Sequence, residues 1–188
     1  MLTSPNMPDL NLLDVRGMTV NAMLVKLEES FPPTNPTPED SMEDLGWHVY
    51  DATKEENIKK HIDFHLVSSK ENKFFSVDVK AQKKTNRSDN KVNDEWLWIE
   101  FVNVRGAFGW LHGEADEIAF ERNTDFLMIN RERLKEFAFK KVENIDVERA
   151  SDAKYKFYSR RGRDDLLTQV SVDDLMKEVE YKLIDKDC

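Results

Sequence analysis

In the middle of the chain, residues 61–82 alternate strictly between apolar and polar positions, interrupted by the polar run 68–73. Ile62, Phe64, Leu66, Phe75, Val77 and Val79 fall on one face, and His61, Asp63, His65, Ser76, Asp78, Lys80 and Gln82 on the other. That period predicts two strands joined as a hairpin. Short strands are also predicted at 47–50, 96–104, 115–121, 126–129 and 155–158, with Gly106 and Gly109 marking the turn after the second. Helical spacing appears at Val20, Met23, Leu24 and Leu27 behind Thr19, and at Leu134, Phe137 and Ala138. Leu175, Val179 and Leu183 have the same spacing behind the cap-like Ser171, predicting a C-terminal helix, and residues 51–60 suit a further helical turn. Pro32 and Pro33 stop the first helix, residues 31–39 read as a linker or surface loop, and Pro38 opens a turn that ends at Gly46. Residues 1–17 read as a loose lead-in. No repeat of 20 to 50 residues is visible. The expected class is mixed α/β (α+β), with a central mixed sheet flanked by helices.

Composition narrows the reading. The 188 residues, 39% hydrophobic, suffice for one packed domain spanning 1–188, in which 150–188 would supply a C-terminal strand and helix. With 35% charged residues, a mean hydropathy of −0.67 and no apolar run of about 18 residues, a membrane-spanning helix is not expected. Pro5, Pro8 and Asp9 interrupt any leader-like pattern, and one cysteine, Cys188, suits a reducing compartment, so the expected location is cytoplasmic. A net charge of −9 argues against coating nucleic acid by bulk electrostatics. The charge is nevertheless segregated. Lys80, Lys83, Lys84, Arg87 and Lys91 face one acid, Asp89, within 80–91, and Lys154, Lys156, Arg160, Arg161 and Arg163 face none within 154–163.

A hairpin symmetric about its loop pairs position i with 141 − i, which sets Asp63 opposite Asp78 and His61 opposite Lys80. Two carboxylates with Cβ atoms roughly 5 Å apart repel and call for a cation. Hard divalent ions are held by one or two carboxylates together with a carbonyl, waters and phosphate oxygens. Lys80, two residues after Asp78, shares its face and would stand beside such an ion.

Asp63 within His-Ile-Asp-Phe-His-Leu, followed by Val77-Asp78-Val79-Lys80, resembles the PD-(D/E)xK nuclease superfamily, with Ile62 where the literal motif has proline. The resemblance covers residues 45–139. Trp98-Ile-Glu-Phe-Val-Asn, Gly109-Trp-Leu-His-Gly-Glu-Ala-Asp and Tyr158-Ser-Arg-Arg-Gly-Arg-Asp-Asp look similar to small phage-type members, for which the location would be the host cytoplasm. It implies a restriction-endonuclease-like core and magnesium-dependent DNA endonuclease activity, with manganese as a substitute and RNA not excluded as substrate. It also implies that Asp63, Asp78 and the Val79 carbonyl hold the metal and that Lys80 orients or deprotonates the attacking water. Gln82 extends the polar face, and Glu28 or Glu43 could add a carboxylate from a helix. Lys83, Lys84, Arg87, Arg160, Arg161 and Arg163 are the expected contacts to nucleic acid. Such nucleases often dimerise, although no heptad or large apolar stripe marks an interface here.

Plainer readings stand beside these. The hairpin's polar face could be merely solvated at a sheet edge, with Lys80 pairing to an acid. His61 with His65, and His112 with Glu114 and Asp116, have ligand-like spacing but read better as surface and turn residues. Trp47, Trp96, Trp98 and Trp110 read as core or sheet-covering residues before base-stacking platforms. Two other functions remain: a non-catalytic nucleic-acid or protein-binding module on the same fold, and an acidic interaction protein steered toward a basic partner.

Overall fold

The computed structural model describes residues 47–68, 72–84 and 93–185. They build a mixed α/β structure of two mixed sheets and, among the described residues, three α-helices. The first sheet has six strands: β1 (Trp47–Asp51), β2 (Phe64–Ser68), β3 (Lys73–Lys80), β5 (Glu117–Glu121), β6 (Asp125–Asn130) and β10 (Tyr181–Asp185), neighbours in that order. All its pairings are antiparallel except β3 with β5. The second sheet runs β4 (Trp96–Val102), β9 (Leu166–Ser171), β8 (Lys156–Tyr158), β7 (Glu143–Val147), and only β7 with β8 is parallel.

The β2–β3 hairpin takes the register expected from loop symmetry, with Phe64 opposite Val77 and Leu66 opposite Phe75. Its position differs from the edge-hairpin alternative, because β3 is an interior strand flanked by β2 and β5. Each face of the first sheet has its own core. Phe64, Leu66 and Val77 pack with Val49, Ala119, Phe126 and Met128. Ile118, Phe120, Leu127 and Ile129, on the other face, pack with Leu97, Ile99, Phe101 and Val170 of the second sheet and with Trp110 and Leu111. Asp78 and Lys80 pair with Ile118 and Phe120, so the polar face of β3 looks into the interlayer rather than into water.

Capping explains the helices. In α1 (Lys54–Lys60), Thr53 and Glu56 form a reciprocal capping box, and the helix ends at His61 in the left-handed conformation, φ 56°. Helix α2 (Arg131–Lys141) starts where the Asn130 side chain accepts from the Arg133 N–H, and buries Leu134, Phe137 and Ala138. Helix α3 (Val172–Glu178) is capped by Ser171, which accepts from the Asp174 N–H.

Three expectations are corrected. The single central sheet is two sheets: alternation identifies β4 as a strand but carries no information on its partner, and β4 pairs with β9 across the interlayer from β3. The C-terminal helix does not continue through Leu183; it stops at Glu178, and residues 181–185 add a strand to β6, with Leu183 opposite Leu127. Pairing with that otherwise open sheet edge outweighs the helical spacing of Val179 and Leu183. Ile62 does not join the face of Phe64; it precedes β2, just after the left-handed His61, and enters the interlayer core. The predicted helix behind Thr19, the 31–39 linker, the 1–17 lead-in, Glu28, Glu43, Arg87, Lys91 and Cys188 lie outside the described residues. Among the described residues no helix is long and apolar enough to cross a membrane.

Candidate active site and basic cleft

The site is built where the lead-in to β2 meets the C-terminal end of β3. The Asp63 N–H donates to the Val77 carbonyl at 2.8 Å, continuing the hairpin ladder one step and setting Asp63 beside Asp78. Both carboxylate oxygens of Asp63 are engaged: the Val79 N–H donates to Oδ2 at 2.7 Å and Asn57 Nδ2 to Oδ1 at 2.6 Å. Asn57 comes from α1, so the capping box at Thr53 indirectly fixes Asp63.

Asp78 is only 3% exposed. Lys80 Nζ donates to its Oδ1 at 2.5 Å, while its Oδ2 is buried with no hydrogen-bond partner. The adjacent Asp63 carboxylate is itself an acceptor and supplies no donor. Burial pushes the Asp78 carboxyl up to about 7; the Lys80 cation opposes this and the Asp63 charge adds to it. Near neutrality the Asp78 carboxyl therefore passes between its neutral and its charged form, and the charged form is what a divalent cation would favour. Lys80 also lies over the Trp110 ring, 5.1 Å from its centroid. The nearby His61 is held below the usual imidazole range, first by burial and then by the Lys80 cation, with Asp63 opposing.

The donor set of Asp63, Asp78 and the Val79 carbonyl is all oxygen, which suits a hard ion that keeps several waters. The unpartnered Asp78 Oδ2 is the observation of this structure that such an ion fits. No third side chain joins it: among the described residues no group of three or more His, Cys, Asp or Glu is placed to hold a metal.

Beyond Lys80 the structure gathers what the sequence separates by some 75 residues. Lys83 and Lys84 share one cleft of about 920 Å³ with Arg160, Arg161 and Arg163. Its walls include Trp98, Glu100, Tyr158 and Leu167, which alternate with the core positions of the second sheet, and Trp110 carries Lys80 over its ring. Five cations thus face one acid. The walls partly desolvate Lys83, and this, followed by the Lys80 cation, holds its ammonium below the ordinary lysine range; Glu100 opposes, and Arg160 and Asp78 also act on it. Trp110, which lines the cleft and lies under Lys80, sets the Asp78–Lys80 pair beside it. Arg160 is fixed by Asp165, which is 1% exposed and accepts from the Arg160 N–H at 2.8 Å and from its Nε. Gly162, φ +73°, makes the turn that carries Arg161 and Arg163 outward.

Other candidates go elsewhere. Gln82 lines the cleft, but its Nε2 donates to Asp94 and to Asn123 Oδ1 at 3.0 Å, and its N–H to Glu121 Oε2 at 3.2 Å, so it also ties the end of β3 to the β5–β6 turn. His65 stacks on Phe74 and lies 3.6 Å from Glu56. His112 packs among Phe101, Phe108 and Phe139, Glu114 pairs with Lys60, and Asp116 accepts from the Ser76 N–H and Oγ, so these three do not converge. The sequence reading missed Asp165 and Tyr158, and it ranked a core or sheet-covering place for Trp98 above the cleft-facing one that the ring takes. The available signal was an acid five residues after Arg160, the reach of a turn closed by its own ion pair. Compared with family models, curated proteins and solved structures, the chain matches none.

Proposed function

We propose that this chain is a metal-dependent nuclease that hydrolyses phosphodiester bonds in DNA, on a restriction-endonuclease-like arrangement of β2, β3 and β5. The observation that carries the reading is the buried oxygen of Asp78 left without a donor, beside Lys80 and near a cleft that gathers Lys83 and Lys84 with Arg160, Arg161 and Arg163. Magnesium bound there would supply Lewis acidity and lower the pKa of a bound water. Asp63 and Asp78 would hold it with the Val79 carbonyl, and manganese would serve in its place. Lys80, kept in position by Asp78 and the Trp110 ring, orients the attacking water and places positive charge where phosphoryl oxygens gain negative charge. Lys83, Arg160, Arg161 and Arg163 neutralise flanking phosphates.

The test is incubation with supercoiled and linear DNA in magnesium, manganese, calcium or EDTA, with Lys80→Ala and Asp78→Asn run beside the parent. Cutting that requires magnesium or manganese and is lost in both variants is the expected result. No cutting by the folded parent, or equal cutting by the variants, rejects the reading. A second reading, nucleic-acid binding without turnover, is favoured by one feature: Asp78 is ion-paired with Lys80, and among the described residues no third acidic ligand stands beside them.

A further inference from the structure

We infer that the cleft takes nucleic acid as a single strand, with bases against Trp98 and Tyr158 and phosphates against the cations around them. The chemistry of cutting rests on the reading above; the binding does not. Trp98 and Tyr158 are half-buried, their ring centroids are 6.0 Å apart at a 45° tilt, and both rings border the same space as Lys83, Lys84, Arg160, Arg161 and Arg163. Aromatic faces interleaved with cations are what unpaired bases on a phosphate backbone require, because every base has a π-face. In a duplex those faces are hidden in the stack, so the rings would be left without a partner.

Size and charge point the same way. A concave space of about 920 Å³ accommodates a few nucleotides, whereas a double helix can only rest across its mouth. A duplex lying there would press its second strand against a protein whose net charge is −9, while a single strand can follow the cationic walls alone. Asp165 adds a built element: it holds Arg160 at its Nε and leaves the terminal guanidinium nitrogens to face a phosphate. The shared chemistry covers DNA and RNA, and the experiment separates them.

The experiment is fluorescence anisotropy on the full chain in EDTA, with labelled single strands of about 12 nucleotides as DNA and as RNA and with the matching DNA duplex. The single strand is expected to bind at least about tenfold more tightly than the duplex. Tyr158→Ala should weaken it roughly tenfold while Tyr158→Phe, which keeps the ring, stays near the parent. The exposed pair Arg161→Ala/Arg163→Ala should lower the slope of log affinity against log salt by about 0.7 for each lost phosphate contact, with the circular dichroism spectrum unchanged. Equal or tighter duplex binding, no binding by the parent, or parental affinity in both Tyr158→Ala and the arginine double variant overturns the inference. Metal-dependent cutting with a duplex preference would retain the nuclease reading and reject this one; a single-strand preference without cutting would do the reverse.

Discussion

Two buried carboxylates each hold a cation, Asp78 holding Lys80 and Asp165 holding Arg160, and they are finished differently. Asp165 has both oxygens engaged by the Arg160 backbone N–H and guanidinium. Asp78, equally enclosed, has one oxygen on Lys80 and the other without a donor, beside the Asp63 carboxylate. A carboxylate that serves folding has its acceptors filled, because an empty buried acceptor costs about 1–3 kcal/mol. One left open beside a second carboxylate gives up that stability in favour of something that arrives later, and such unresolved polar groups concentrate at functional sites. On the proposed nuclease reading, the turn at 159–165 is scaffold for Arg160 and the end of β3 is the chemical site.

The contrast breaks most visibly in catalysis. Lys80→Ala should reduce metal-dependent cutting by roughly 10²–10⁴-fold, measured as initial rates on labelled DNA, whereas Asp165→Ala should retain most of the turnover at saturating substrate and raise the substrate concentration needed.

The next effect is on stability, and its sign is opposite at the two sites. Asp78 binds its proton more tightly in the folded state, at about 7 against 3.8, so its contribution is full below about pH 4 and is lost as pH rises toward 7. In EDTA, urea midpoints should fall across that window. Asp78→Asn, neutral at every pH and able to donate to Asp63, should flatten the dependence and be the more stable protein at pH 8. Asp165→Ala should instead destabilise the protein by about 1–3 kcal/mol at pH 8. Gln82→Ala is expected to have the smallest effect, about 0.5–1.5 kcal/mol, through lost contacts to Asp94 and Asn123, with a fall in cutting well below that of Lys80→Ala in the same assay.

How much of this was legible in the sequence follows from the range of the forces involved. The β2–β3 register was readable because period-two alternation and a short loop are local, and with it came the juxtaposition of Asp63 and Asp78. The caps at Ser171 and Thr53 are local too, and each closes on a backbone N–H three residues on. The second sheet was not readable, since β4 chooses β9 through tertiary packing, and neither was β10, whose helical spacing lost to an open sheet edge. Both basic segments are visible as charge runs, but the meeting of Lys83 and Lys84 with Arg160, Arg161 and Arg163 in one cleft depends on the β4–β9–β8 sheet, which no local pattern encodes. The orphaned Asp78 oxygen is likewise a property of the interlayer, not of the Asp-x-Lys spacing.

The most direct test of the open carboxylate is calorimetric titration of magnesium, and separately of manganese, into the parent and Asp78→Asn at pH 8, where the parent carboxyl is ionised. The expected result is a saturable heat with the parent, weakened in parallel runs at pH 6 as protons compete for Asp78, and no heat with Asp78→Asn. Equal heats from the two proteins, or no heat from the parent at either pH, would contradict the assignment of Asp78 as a metal ligand.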